Sequence, residues 1–203
     1  VLGNLSQIGP AEKVTFAHEY DHALENQSFN LQSLPLHSKD NSDLAMAALS
    51  VAEGDATLVM TLYAHQYLSP TEIKELAQST EGNNTAFDSA PPVIRETLLF
   101  PYIQGTEFTI SIFIQGGWKA VNQLYIDVPK STAQIIHPEK YVAKEQPQEV
   151  AIPDLTNSLG DGWSQLDNNV LGELYMKIYL EAFVDSATAT KASEGWGGDR
   201  YVL

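Results

Sequence analysis

Apolar residues recur at helical spacing along much of this chain. In the first part they predict a helix from Ala11 to about Leu31, which ends before the polar stretch 37–42. A second, longer helix is predicted from about Asp43 to Leu68, with Asp40 or Ser42 as its N-cap. The two helices would follow each other closely, so the pattern favours a helical pair at the start of the fold.

The first half of the second helix is rich in alanine, serine and glycine. A helix with so little side-chain bulk can lie very close to a neighbour. Gly54 in mid-helix costs about 1 kcal/mol relative to alanine. Either a close helix–helix approach or a functional site would explain why a glycine is kept there.

A mainly apolar segment, Val93–Ile114, predicts a buried helix that is interrupted near Pro101 or Gly105. Its second half, Phe108–Ile114, contains β-branched residues, so a strand remains an alternative for that part. The segment ends at Gly116-Gly117, which predicts a break in the chain direction.

The remaining segments predict short elements joined by irregular chain. They are a helix from Ser69 to about Gln78, a loop over 79–92, helices over 118–126 and 131–136, irregular chain over 144–166, a helix from about Asn168 to Phe183 capped by Asp167, and a glycine-rich turn entering an extended segment over 195–203. The predicted fold class is therefore mainly α, with little β beyond a short C-terminal hairpin or strand. Residues 1–203 are expected to form one domain, either alone or as part of a longer enzyme.

Composition narrows the function classes. The chain has 203 residues, 43% of them hydrophobic, and a formal charge of −15, which would repel phosphate backbones, so no nucleic-acid partner is expected. No apolar run approaches the roughly 20 residues of a membrane span, so none is predicted. Because the chain has no cysteine, any metal must be held by histidine, aspartate or glutamate. The absence of cysteine leaves the compartment open, with a secreted or extracytoplasmic location slightly favoured.

The run His18–His22 has the pattern H-E-x-x-H. Two histidines four residues apart lie one turn above each other on a helix, so both imidazoles can bind one metal ion. Glu19, directly after the first histidine, is then placed to act as the general base for a metal-activated water. This pattern predicts a zinc hydrolase, with His18 and His22 as metal ligands.

A catalytic zinc ion usually has three protein ligands, so a third is expected. A third histidine at metzincin spacing is excluded, because position 28 is Ser28. We predict Glu53, which lies on the second helix among small residues that would let the two helices pack tightly. The rival acids are Asp55, Glu25 and Glu173, and Glu25 is more typical of a surface acid.

The residues His18, Glu19, His22 and Glu53 resemble the gluzincin class of zinc metallopeptidases, which has two histidines and a downstream glutamate. Three segments are similar to a prokaryotic group of gluzincin-like metallopeptidases, and together they span most of the chain. They are His18–Leu31 (HEYDHALENQSFNL), Glu53–Thr57 (EGDAT) and Gly195–Tyr201 (GWGGDRY). The resemblance implies a zincin-like helical core, a zinc ion on His18, His22 and Glu53, and Glu19 as general base and then proton donor to the leaving amine.

The chain departs from the gluzincin pattern in two places. Many gluzincins have an aspartate four residues after the ligand glutamate that supports a histidine, and here that residue is Thr57. The hydroxyl of Thr57, or a backbone carbonyl, is expected to accept the imidazole N–H instead. In addition, only seventeen residues precede His18, too few for the usual substrate-binding sheet. Strands outside this sequence, the C-terminal segment or a different mode of binding would have to hold the substrate.

A further group must stabilise the oxyanion that forms when water attacks a carbonyl. The candidates are His137 and Tyr141, expected in a loop, and Arg200 and Tyr201 beside a flexible glycine pair. Each has a common structural alternative as a packing residue or an ion-pair partner. The leading hypothesis is a zinc-dependent hydrolase whose substrate is a peptide or protein. The alternative is a metal-binding or interaction module without catalysis, in which zinc braces the first two helices.

Overall fold

The chain is mainly α-helical in a computed structural model, which describes residues 8–79, 85–153 and 155–203. The helices are α1 (Pro10–Phe29), α2 (Ser42–Tyr67), α3 (Pro70–Ser79), α4 (Thr85–Asp88), α5 (Pro92–Gln123), α6 (Thr132–Ile136), α7 (Pro138–Val142), α8 (Thr156–Leu159), α9 (Gly172–Glu181) and α10 (Ser186–Ser193). The strands β1 (Asn168–Asn169) and β2 (Tyr201–Val202) pair antiparallel. The predicted fold class, mainly helical with a short C-terminal β element, is confirmed.

Helix α2 lies between α1 and α5 and packs against both. Its backbone approaches α5 so closely that a Cβ atom at Gly54 would collide with the carbonyl oxygen of Gly105. A Cβ atom at Gly105 would likewise collide with the carbonyl oxygen of Ser50. The glycines therefore allow a close helix crossing, which confirms the prediction made from Gly54. This crossing lies beside Glu53, one residue away on α2.

Helix α5 continues through Pro101 and Gly105, where an interruption was expected, and breaks at Gly116 and Gly117, as the glycine pair predicted. Gly117 has a φ of 62° and a ψ of −163°, a backbone conformation that favours glycine. Pro101 is buried inside the helix, so packing against neighbouring elements outweighs the lost backbone hydrogen bond. The strand alternative for the second half is wrong: Phe108 and Ile112 are buried and Ile114 is 78% exposed, which is a helical pattern.

The hydrophobic core collects side chains from α2, from α5 and from the segments that follow α5. Its largest fully buried members include Val51, Phe108, Val121, Leu124 and Ile135. Helix α1, by contrast, has only Val14 and Glu25 buried. The core therefore lies on the α5 side of α2, and α1 covers the other side with a largely polar sequence.

Two helix caps differ from the predictions. Asn41, not Asp40 or Ser42, caps α2, and its Oδ1 accepts a hydrogen bond from the backbone N–H of Leu44 at 2.9 Å. Asp167 does not cap a helix, because the chain forms β1 after it and α9 begins only at Gly172. Asparagine, aspartate and serine all cap well, so three such residues in a row leave the cap position of α2 ambiguous in the sequence.

The start of α9 is capped from the C-terminal segment. The carboxylate of Asp199 accepts hydrogen bonds from the backbone N–H groups of Leu171 and Gly172, at 2.8 and 2.9 Å, and from the Trp196 indole at 2.7 Å. The expected turn and extended segment at the C-terminus are confirmed, because β2 follows at Tyr201. The run Gly195–Tyr201 thus holds α9 and the small sheet together.

Several short helices interrupt segments predicted as loops. Helix α4 lies in the predicted loop 79–92, α7 contains the stretch expected as a loop after residue 137, α8 lies in the irregular segment 144–166, and α10 follows α9. The turn signal Gly82-Asn83-Asn84 lies outside the described residues. Short helices of four or five residues carry too few apolar repeats for periodicity to reveal them.

One helix within the described residues, Ser42–Tyr67, is long and apolar enough to cross a membrane on length and composition alone. Half of its most apolar window is buried against the rest of the chain, as in a core helix. The length and apolar composition of this helix are therefore only weak evidence for a membrane span.

Candidate metal centre

Helices α1 and α2 bring three metal-ligand side chains to one point. His18 and His22 lie one turn apart on α1, and Glu53 faces them from α2. The two imidazole Nε2 atoms are 3.2 Å apart, and Oε2 of Glu53 lies 3.2 Å from the first and 3.5 Å from the second. The three residues predicted as ligands therefore converge without any residue between them.

The spacing of these atoms matches a tetrahedral zinc site. Zinc–nitrogen and zinc–oxygen bonds of about 2.0–2.1 Å at tetrahedral angles place neighbouring ligand atoms about 3.3 Å apart. The three separations between His18, His22 and Glu53 lie within 0.2 Å of that value, from 3.2 to 3.5 Å. Oε2 of Glu53 is also buried without a hydrogen-bond partner. The donor set and its geometry thus fit a metal ion.

The electrostatics of the group favour a cation. The hydrogen bond to Glu25 and the close approach of the Glu53 carboxylate raise the pKa of His22 to about 10. Burial acts to raise the pKa of Glu53, but the close approach of His22 and the charges of both histidines outweigh it and leave the pKa lowered. The carboxylate is therefore ionised at neutral pH, and positive charge between it and the imidazoles is stabilised.

Glu25 supports His22 from the far side of the imidazole. Its Oε2 lies 2.9 Å from Nδ1 of His22, and its Oε1 accepts a hydrogen bond of 2.6 Å from the Tyr125 hydroxyl. Glu25 is only 3% exposed, so its interpretation as a surface acid was wrong. A carboxylate on Nδ1 orients the ring with Nε2 free to bind metal. This contact could have been predicted from the spacing, since Glu25 lies three residues after His22 on the same helix face.

The expected support for His18 is not formed. Nδ1 of His18 and Oγ1 of Thr57 are each buried without a hydrogen-bond partner. Neither the Thr57 hydroxyl nor a backbone carbonyl therefore accepts a hydrogen bond from Nδ1 of His18. The support in this centre lies on the second histidine instead of the first.

Tyr102 of α5 lies beside the triad formed by His18, His22 and Glu53. Its ring stacks near that of His18, with centroids 6.2 Å apart and planes 29° apart. Burial and the nearby charges of Glu53 and Glu19 raise the pKa of the phenol. Tyr102 thus carries a protonated hydroxyl beside the triad, on the same side as Glu19, which is exposed. No local pattern around Tyr102 predicts this position, because only the crossing of α2 and α5 brings it close to His18.

His137 and Tyr141 have partners outside the triad. His137 lies between α6 and α7, where its Nε2 is 2.7 Å from Oε1 of the buried Glu173. Tyr141 is in helix α7, not in a loop, and donates a hydrogen bond of 2.8 Å to the carbonyl oxygen of Asp127. Glu173, a rival for the third ligand, therefore pairs with a different histidine.

Arg200 and Tyr201 hold the small sheet. The Arg200 guanidinium donates a hydrogen bond of 2.6 Å to the Asn168 side chain, and the Tyr201 hydroxyl donates one of 2.6 Å to Asp167. Both contacts join β2 to the chain before α9. The site role of these two residues, like that of His137 and Tyr141, stays a prediction, and their contacts are those of structural residues.

Asp55, another rival ligand, belongs to a second group. Its Oδ2 lies 3.0 Å from the Tyr125 hydroxyl oxygen, and its carboxylate converges with those of Asp21 and Glu25. Asp55 lies two residues after Glu53 and points away from the triad, as expected for that spacing on a helix.

Comparison with protein-family models, with curated proteins and with solved structures finds no match for this chain.

Proposed function

We propose that this chain is a zinc-dependent hydrolase, a peptidase of the gluzincin type, with zinc on His18, His22 and Glu53. The observation that carries the proposal is the spacing of the three ligand atoms, 3.2 to 3.5 Å, on the H-E-x-x-H helix and its neighbour. Bound zinc would lower the pKa of a water ligand towards 7 and polarise a carbonyl group.

The residues around the triad supply the remaining chemistry. Glu19, next to His18 in the motif, takes a proton from the attacking water and later gives it to the leaving amine. Tyr102 donates its hydroxyl proton in a hydrogen bond to the developing oxyanion. Glu25 holds the His22 ring in place through Nδ1. In this proposal Tyr102 stabilises the oxyanion, a role for which the sequence analysis suggested residues 137, 141, 200 and 201.

The openness of the centre supports a peptide as substrate. The side chains of His18, His22 and Glu53 retain 12%, 23% and 16% of their exposure, so solvent reaches the triad. The ring of Tyr102, which is 45% exposed, lies beside His18 and adds apolar surface next to the three ligand atoms. An extended chain with apolar side chains could lie over such a surface.

A second candidate function is a structural zinc site without catalysis. It is favoured by the weak anchoring of α1, of which only Val14 and Glu25 are buried. A metal shared between α1 and α2 would then fix α1 to the fold, as structural zinc does in other small domains.

Zinc content and hydrolysis separate the two functions. The purified chain is expected to contain about one zinc ion. His22→Ala is expected to lose it, and the matched change His65→Ala, at an exposed histidine on α2, is expected to keep it. Metal analysis by mass spectrometry checks these outcomes, and a native protein without metal would refute the zinc proposal.

Glu19→Gln tests catalysis. The variant is expected to keep zinc and to lose hydrolysis of a quenched-fluorescence peptide library by about 10²-fold or more, since it lacks the general base. If zinc is present and both proteins are equally inactive on peptides and on casein, the structural zinc site is the better description. Glu12→Gln, an exposed acid on the same helix, is the matched control.

A further inference from the structure

We propose that Asp21, Glu25 and Asp55 form a second cation site, for a hard divalent ion such as Mn²⁺, Mg²⁺ or Ca²⁺, beside the zinc triad. One carboxylate oxygen from each of the three residues lies within 4.8 Å of the others. An all-carboxylate set suits hard cations better than zinc, and water would complete the coordination. The proposal does not rest on hydrolysis and goes beyond the proposed function.

The second group repeats the construction of the first. In both, α1 supplies two residues four positions apart and α2 supplies one, so a pair of side chains on one helix faces a single side chain on the next. The pairs are His18 with His22 and Asp21 with Glu25, and their partners on α2 are Glu53 and Asp55. A three-residue shift along α1 turns the second pair by about 60° from the first, since 3.6 residues complete a turn.

Two carboxylate oxygens of the group have no protein partner and are available to bind a cation. Oδ1 of Asp55 and Oδ2 of Asp21 are each buried without a hydrogen-bond partner. Asp55 is only 5% exposed and Glu25 only 3%. A buried carboxylate oxygen that accepts no hydrogen bond is energetically costly, so such atoms are usually paired or bound to a metal.

The charge of the group is also uncompensated. Among the described residues, no lysine or arginine forms an ion pair with any of the three acids, and the nearest cationic group is His22. Tyr125 contacts both Glu25 and Asp55, yet its hydroxyl has one proton and can donate to only one of them. A divalent cation supplies the charge that protein groups do not.

Glu25 would connect the two sites. One of its oxygens holds Nδ1 of His22, and the carboxylate also belongs to the second group. A cation bound by Glu25 would therefore fix the residue that orients a zinc ligand. Occupation of the second site is expected to make the zinc site more rigid.

Manganese binding to the zinc-loaded protein tests the proposal. Mn²⁺ binds nitrogen and oxygen sites more weakly than Zn²⁺, so it leaves the zinc in place. Electron paramagnetic resonance of free Mn²⁺ is expected to show about one bound ion per chain. Asp21→Asn and Asp55→Asn are each expected to weaken this binding by more than about tenfold, because each removes a ligand charge.

Two controls separate this site from the rest of the molecule. Glu12→Gln removes an exposed acid from α1 and is expected to change Mn²⁺ affinity less than about twofold. Glu53→Gln removes the zinc ligand and is expected to leave one Mn²⁺ bound, so the second site remains measurable even if the zinc proposal fails. Because Asp55 is buried, its variant is first checked for folding by circular dichroism, and the half-buried Asp21 provides the second variant.

The proposal is overturned if the zinc-loaded protein binds no Mn²⁺ above the level of a surface acid. In that case the three carboxylates are neutralised by shared protons. It is also overturned if Asp21→Asn, correctly folded, binds Mn²⁺ as tightly as the unchanged protein.

Discussion

Both ring nitrogens of His22 have a close polar contact, whereas only Nε2 of His18 has one. Glu25 occupies Nδ1 of His22, but Nδ1 of His18 is buried without a partner. A carboxylate on the far nitrogen fixes the tautomer of a histidine and would strengthen its bond to a metal, so the two histidines would be unequal ligands in the proposed zinc site. The link from Glu25 through Tyr125 to Asp55 extends this support into the core.

Removing the Tyr102 hydroxyl tests the part that this residue plays beside the triad. Tyr102→Phe is expected to lower kcat by about 10²-fold, with KM and zinc content nearly unchanged, because in the proposed mechanism the hydroxyl acts on charge that develops in the transition state. Steady-state kinetics on a cleaved peptide, together with metal analysis, check the prediction.

Tyr67→Phe is the matched control, since Tyr67 lies at the exposed end of α2 and is 65% exposed. It is expected to leave both kinetic constants unchanged. If Tyr102→Phe raises KM with kcat intact, the residue binds substrate and another group stabilises the oxyanion.

Residues fixed by local spacing could be predicted from the sequence, and residues fixed by distant contacts could not. His18, His22 and Glu53 follow from helical spacing and ligand chemistry, and the structure brings them together. The burial of Glu25 depends on Tyr125, one hundred positions further along the chain. Tyr102 likewise reaches the triad only because α5 crosses α2.

At the scale of whole elements, the crossing of α2 and α5 sets the position of Glu53. The backbones meet at Gly54 and Gly105, where neither helix has room for a Cβ atom. The small residues of α2 made a close approach predictable, but they did not identify the partner helix or the point of contact. Helix α5 breaks at Gly116 and Gly117, as the glycine pair predicted, whereas the buried Pro101 shows that packing can keep a helix continuous through a proline.

Gly54→Ala tests the crossing. Alanine favours a helix over glycine by about 1 kcal/mol, so without a neighbour the change would stabilise α2. Here the added methyl group would collide with the Gly105 carbonyl oxygen, and the helices must separate. We expect a net loss of about 1–3 kcal/mol in the free energy of unfolding, measured by urea denaturation.

Gly195→Ala provides the control, because a Cβ atom there meets nothing within 4 Å. It is expected to change the free energy of unfolding by less than about 0.5 kcal/mol. A Gly54→Ala protein as stable as the original, or more stable, would mean that the two helices do not cross as closely as described.

At the scale of the whole molecule, Asp43 lies where several distant segments meet. It stands in the first turn of α2, and its Oδ1 accepts hydrogen bonds from the backbone N–H and the hydroxyl of Thr132. Gly172, at the start of α9, packs directly against its carboxylate. Burial, opposed by the two Thr132 hydrogen bonds and aided by the charges of Asp199 and Glu173, raises the pKa of Asp43 to about 7.

This pKa makes the stability of the fold depend on pH. Below about pH 4 the carboxyl group is protonated in both the folded and the unfolded chain. Between about pH 4 and pH 7 the folded chain keeps a proton that the unfolded chain releases, so the contribution of Asp43 to stability falls as the pH rises. Asp43→Asn keeps an acceptor for Thr132 and has no charge to bury.

Relative to the unchanged protein, Asp43→Asn is therefore expected to gain stability between pH 4.5 and pH 8, by at most about 4 kcal/mol. Urea denaturation at both pH values measures the difference, and the exposed Asp161→Asn is the matched control. The two variants share the same change in net charge, so the general repulsion within a chain of charge −15 cancels between them. Equal pH dependence in both would mean that Asp43 is ionised in the folded protein at neutral pH with no cost to stability, and that the junction of α2, α6 and α9 tolerates a buried charge.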